Sequence, residues 1–172
     1  MIGRRGILML GLGGTALLAG CGGGSDRRLN LVEPRGMPTG PMPPGQGPDG
    51  LYANETPELR RRINYWAQHH GVPVGLVHRV IIRESRHRPG ARNGPYYGLM
   101  QILPQTARTM GYRGPAEGLL NADTNLQYAV KYLRGAYIVA DRNHDAAVRW
   151  YARGYYYEAR RKGLLKETGL RA

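Results

Sequence analysis

The sequence predicts an all-α fold, and three observations carry that prediction. Downstream of about position 56, apolar residues recur at the three- and four-residue intervals of a helix. Helix-opening groups (Thr56-Pro57, Pro73, Pro104) and helix-closing glycines (Gly71, Gly111) punctuate those runs. No stretch alternates apolar and polar residues for long enough to form a sheet, so any strand pairing is confined to a minor hairpin. No internal repeat appears.

The chain opens on a segment with the organisation of an export signal. Arg4 and Arg5 supply a positive start, and Ile7 to Ala19 is an uncharged apolar run too short to span a bilayer comfortably as a helix. Residues 1–20 are therefore expected to be a signal peptide. Leu18-Ala19-Gly20-Cys21 resembles the lipobox of bacterial lipoproteins, which implies cleavage before Cys21 and lipid on that residue. Cys21 is the one cysteine in the chain, so no disulfide partner competes for it. Several acyl chains on one residue would attach the protein stably to a membrane, where a single chain is marginal. A chance cysteine in an uncleaved anchor is the plainer alternative, and the arginine pair also admits a twin-arginine signal. Gly22, where an Asp could stand, leans towards the outer membrane by family analogy.

Residues 21–55 read as a linker. Between Pro34 and Gly50, 11 of 17 positions are Pro or Gly, a composition that cannot build a packed core. A proline-rich recognition segment is the rival reading; in an exported, lipidated chain a tether is expected.

Residues 56–172 suffice for one small helical domain. Thr56-Pro57-Glu58 supplies a capping hydroxyl, a proline at the first helical position and an early acid. Leu59, Ile63, Trp66 and His70 follow at helical spacing, and Gly71 stops the run. A second helix opens near Pro73. The Gly/Pro-rich loop from Pro89 to Gly98 separates it from a short helix that starts near Pro104 and ends near Gly111. Asp123 is expected to cap a longer helix with Leu126, Val130, Leu133 and Tyr137 on its inner face. Asp145 is expected to cap another through Val148 and Tyr151, and a last helical stretch covers Tyr155 to Lys162.

The second helix carries the chemistry. Leu76, Val77, Val80 and Ile81 share one arc at 100° per residue, and Glu84 falls in the middle of it. Burial and the negative end of the helix dipole both disfavour a charged carboxylate there, raising its pKa as a general acid requires. The bland alternative is a salt-bridged helix end, since Arg83, Arg86 and Arg88 are close by. The formal charge of +13 implies an anionic partner: nucleic acid, anionic lipid or an acidic wall polymer. Export sets nucleic acid aside. Phe is absent while Tyr occurs 12 times, and tyrosines suit carbohydrate surfaces as well as ordinary cores. The 5 histidines show no metal-ligand spacing, and neither metal nor cofactor is expected.

Several motifs then occur in order: Glu84-Ser85, Gly98-Leu99-Met100-Gln101-Ile102-Leu103-Pro104, Asn121-Ala122-Asp123-Thr124-Asn125-Leu126, and Trp150-Tyr151-Ala152-Arg153-Gly154. Together they resemble the bacterial lytic transglycosylases with a goose-type-lysozyme-like SLT domain, over roughly Ile63 to Tyr157. The resemblance implies a lysozyme-like helical domain that binds peptidoglycan glycan strands and cleaves the β-1,4 bond between N-acetylmuramic acid and N-acetylglucosamine, leaving a 1,6-anhydro end. It assigns the catalytic acid and base to Glu84; apart from the resemblance, Glu117 and Asp123 are the fallback candidates, Asp123 with helix capping as its plainer explanation. It assigns substrate contacts to Ser85, Gly98, Leu99, Met100, Gln101 and Tyr151: Gly98 by close backbone approach, Gln101 through its amide, Tyr151 through its hydroxyl. Ala152 and Arg153 replace the family's usual Asn and Ala, and Pro95-Tyr96-Tyr97 predicts a bulkier cleft wall. A hydrolase on the same fold and a non-catalytic wall-binding lipoprotein are the competing readings. A monomer is expected.

Overall fold

The computed structural model describes residues 47 and 49–171. The expected signal at 1–20, Cys21 and most of the 21–55 linker lie outside the described residues. The described part is mostly helical, with six α-helices: α1 (Pro57–His70), α2 (Val74–Glu84), α3 (Pro104–Thr109), α4 (Ala122–Val139), α5 (His144–Arg153) and α6 (Tyr156–Arg161). A two-residue hairpin, β1 (Arg92–Asn93) and β2 (Tyr96–Tyr97), follows α2, and a 3-10 turn covers Ala116–Leu120. In the hairpin Arg92 pairs with Tyr97 and Asn93 with Tyr96. Among the described residues no helix is long and apolar enough to cross a membrane.

Local sequence explains most boundaries. The Thr56 side chain accepts from the Leu59 amide to open α1, and left-handed Gly71 closes it. Pro73 precedes α2 and Pro104 opens α3, as the sequence predicts. Two capping residues differ from expectation. Asn121, not Asp123, caps α4 by accepting from the Asp123 and Thr124 amides. Asn143, not Asp145, caps α5 by accepting from the Ala146 amide. Each aspartate sits two residues inside its helix, where it faces the positive end of the dipole but cannot reach back to the exposed amides. Asp145 instead pairs with Arg79 on α2, and Asp123 with Arg62 and the Trp66 indole on α1.

The longest helix, α4, forms the spine and packs along α1 and α5, while α5 also reaches α2. Leu126, Val130 and Leu133 are fully buried, and Tyr137 is half-buried at the edge of that stripe. Gly135 sits mid-helix, where Gly is less favourable than Ala by about 1 kcal/mol. The Tyr155 ring explains it: a Cβ on Gly135 would lie 2.2 Å from the Tyr155 hydroxyl, which donates to the Tyr132 carbonyl. Upstream of α1, Tyr52 and Glu55 are already buried.

Candidate active site

Glu84 is the last residue of α2, and three more elements converge around it. Leu76, Val77, Val80 and Ile81 anchor the helix in the core, which leaves Glu84 at the rim of the apolar stripe with its side chain 24% exposed. Burial pushes its carboxyl pKa up, and the Arg83 guanidinium, 3.6 Å away, only partly opposes that. On α5, Tyr151 lies close enough for the Glu84 charge to act on it. Burial first, and that charge second, drive the phenol pKa far above its ordinary value. The Tyr151 hydroxyl donates to the Met100 carbonyl at 2.8 Å.

The Gly98–Gln101 segment is hydrogen-bonded to Ser85 and to Tyr151. Ser85, directly after the acid, donates from Oγ to the Leu99 carbonyl at 2.7 Å, so one hydrogen bond ties the end of α2 to this segment. Asn125 on α4 ties it from behind: its amide donates to the Tyr97 and Leu119 carbonyls, and its side-chain oxygen accepts from the Met100 amide. Gly98 has φ +74°, and a Cβ there would stand 2.3 Å from both Asn125 Nδ2 and the Leu119 oxygen. Its close backbone approach is thus to the protein's own α4.

The remaining sequence-predicted residues occupy definite places. Leu99 and Met100 expose no surface, so their side chains pack in the core. Ser85 is also buried, with its hydroxyl committed to the backbone. Gln101 is half-buried at φ +47°, and its Nε2 donates to the Ala91 and Gly98 carbonyls, while its side-chain oxygen has no hydrogen-bond partner among the described residues. The amide hydrogens therefore brace the hairpin base. Ser85, Gly98, Leu99, Met100, Gln101 and Tyr151 are brought together beside Glu84 chiefly as a hydrogen-bonded frame. In the hairpin Tyr96 is exposed and Arg92 is stacked on Tyr97, its guanidinium carbon 4.7 Å from the ring centroid. Ala152 is exposed at the end of α5, and the Arg153 guanidinium lies over the Trp150 ring at 3.8 Å. Glu117 is exposed, and Asp123 is tied to α1, so neither stands with Glu84. A cavity of about 310 Å³, lined by Gln105, Thr106, Thr109, Tyr132, Tyr156 and Leu170, lies one ring beyond Tyr151, with Tyr132 packed edge-on against it. Glu84 is not among its lining residues.

Sequence spacing misses two groups. Asn125 could have been noticed by the rule that singles out Glu84, since it is a polar residue next to Leu126 on a buried helical stripe. Glu55, His78 and His87 offer ligand atoms within 4.8 Å of one another, although they are far apart in sequence. Glu55 accepts from Arg60 and the Tyr52 amide, and His78 Nδ1 lies 3.0 Å from His87 Nε2. The Arg60 guanidinium on the Glu55 carboxylate and the contact between the two imidazoles make this a buried internal network. Burial depresses the His78 pKa to about 4 and lowers that of His87 as well.

The described residues form a mostly helical domain with a half-buried acid at a helix end. The family model described as the transglycosylase SLT domain matches residues 61–168. The chain belongs to that family, whose members act on peptidoglycan by lysis of the transglycosylase type. Comparisons with curated proteins and with solved structures found no match.

Proposed function

We propose that this protein is a lytic transglycosylase that uses Glu84 alone as acid and then base. The observation that supports this best is the Glu84 carboxyl, held at the end of an apolar helix and kept easier to protonate by burial. The protonated carboxyl donates to the glycosidic oxygen as the bond from muramic C1 breaks. The muramic C6 hydroxyl then attacks C1 and returns its proton to the Glu84 carboxylate. The products are an N-acetylglucosamine hydroxyl and a 1,6-anhydromuramic end, with no water consumed. Paired-carboxylate glycosidases place a second acid on the sugar's other face; among the described candidates neither Glu117 nor Asp123 stands with Glu84 to play that part.

Acid–base assistance supplies about 10²–10⁴ in rate, so positioning of the sugar and stabilisation of positive charge at C1 must supply the rest. The frame made by Ser85, Gly98, Leu99, Met100 and Tyr151 holds the acid and the Gly98–Gln101 segment at fixed separation, and the Gln101 side-chain oxygen is available to accept from a sugar hydroxyl or N-acetyl N–H. Cleavage before Cys21 and its lipidation would hold the domain at a bacterial envelope membrane, the outer one by the residue after the cysteine.

Mass spectrometry of muropeptides released from sacculi tests the reaction. Anhydro ends, with release lowered by about 10² or more in Glu84→Gln, are expected. Reducing ends carrying added water would make the enzyme a hydrolase. Equal release by both proteins would remove Glu84 from the acid role.

A further inference from the structure

The segment just upstream of α1 lies outside the residues matched by the family model, yet it packs on the loop that follows the acid. Tyr52 stacks on His87, with ring centroids 5.0 Å apart and planes 8° apart, and contacts His78 at 4.8 Å. Asn54 donates from Nδ2 to the Arg86 carbonyl at 2.9 Å. Glu55 fastens the segment in turn, through the Tyr52 amide and an ion pair with Arg60 on α1.

The loop needs such support. Arg86 and His87 have φ of +52° and +58°, a left-handed pair in non-glycine residues two and three positions after Glu84. Side-chain-bearing residues persist in that region only when their surroundings over-determine them. His87 supplies the anchor, since its ring is buried between Tyr52 and His78. The same turn lets the Arg86 amide bond the Ile81 carbonyl and presents Ser85 Oγ to Leu99.

We propose that Tyr52 and His87 are positioning residues for the reaction, the 51–55 segment acting as a brace that holds the loop after Glu84 in its left-handed turn and so fixes the direction of the acid. This rests on the reading of Glu84 as the acid. Without the brace the turn relaxes, the Ser85–Leu99 bond loosens and the carboxyl gains access to water.

Kinetics of the full chain on sacculi test this. Because small displacements of a reacting group cost large factors in rate, Tyr52→Ala should lower kcat on the order of tenfold with KM nearly unchanged. Tyr52→Phe, which keeps the stacked ring, should restore most of it. A 13C-NMR titration of the Glu84 carboxyl supplies a readout independent of turnover. Arg83 on α2 and Tyr151 on α5 face that carboxyl in every variant, so a fall of its midpoint towards the ordinary carboxylate range in Tyr52→Ala reports movement of the acid. Wild-type kcat with an unchanged midpoint, or a loss confined to KM, overturns the proposal.

If Tyr52→Ala does not fold, Asn54→Gly decides. Glycine tolerates the φ of +65° at that position, so only the bond to Arg86 is removed. A fall in kcat and in the Glu84 midpoint is expected, and wild-type values for both overturn the brace. Should the wild-type chain release no glycan at all, the acid assignment fails, while the titration still accepts or rejects the brace.

Discussion

Glu84 is placed against its own ionisation, and that has a consequence for stability separable from catalysis. A carboxyl whose folded pKa is raised contributes stability below its unfolded pKa and loses it as pH climbs through the folded value. Glu84→Gln removes a charge that burial disfavours, with Arg83 the opposing attraction that disappears with it. The variant is expected to melt higher than wild type at pH 7 and to lose that advantage near pH 4, as thermal melts at the two values would show. A higher melting point at pH 4 than at pH 7 in the difference would reverse the sign and discard burial as the dominant influence. That Glu84 is exceptional was legible in the sequence, because an acid in an apolar helical stripe needs no tertiary contact to be noticed. The duties of Ser85, Gly98, Leu99 and Met100 were not. A motif preserves the order of residues, while the direction each side chain takes depends on Asn125 and Tyr151, which arrive from distant helices.

Among the helices, α4 contributes more than hydrophobic area, because Asn125 supplies three buried hydrogen bonds, to the Met100 amide, the Tyr97 carbonyl and the Leu119 carbonyl of the 3-10 turn. Its removal strands the Met100 amide and the Leu119 carbonyl, while the Tyr97 carbonyl keeps the Ile102 amide, and each buried unsatisfied group costs about 1–3 kcal/mol. Asn125→Ala is therefore expected to destabilise the domain by about 2 kcal/mol or more in urea unfolding. A change below about 1 kcal/mol would mean that water replaces the amide. The helix caps show the limit of local reading. Asp123 and Asp145 have the right chemistry, but Asn121 and Asn143 stand where the chain enters each helix, and that entry point shifts by one or two residues in any reading from sequence.

Between α1, α2 and the upstream segment lies the acid-sensitive part of the fold. Burial holds His78 neutral with its pKa depressed to about 4, while Glu55 attracts a proton to it and His87 and Arg60 repel one. Burial alone would raise Glu55, but hydrogen bonds from Arg60 and the Tyr52 amide, aided by the Arg60 charge, hold its pKa below the usual range. Both groups bind more protons in the unfolded chain, so stability is full above about pH 6.5 and declines as pH falls towards 4. From His78 alone the loss is on the order of 3 kcal/mol over that interval. Urea midpoints measured between pH 7 and pH 4 should fall, and a midpoint flat across that window would contradict the neutral, buried histidine.

For the whole protein, the excess of positive charge and the proposed lipid act together. The charge favours approach to an anionic wall or membrane surface, but such attraction is screened over about 8 Å at physiological salt, whereas acyl chains are indifferent to salt. Cys21→Ser is accordingly expected to move the protein from the membrane fraction to the soluble envelope fraction when cells are disrupted in 0.5 M salt, roughly the regime where the Debye length drops to a few ångströms. Retention of the variant in the membrane fraction would remove lipid as the attachment.

What the chain's order of residues established without coordinates was the helical class, the sites of most helix starts and stops, the family through its ordered motifs, and the one acid on an apolar stripe. These depend on periodicity and local chemistry, which short windows contain. What only tertiary packing decided was which motif residues face inward as a frame, which asparagine fastens them, and that Tyr52 and Glu55, upstream of the matched domain, reach the turn after the acid. Those facts depend on contacts between residues 14 to 51 positions apart, such as Ser85 with Leu99 and Met100 with Tyr151, and no local pattern encodes such a distance.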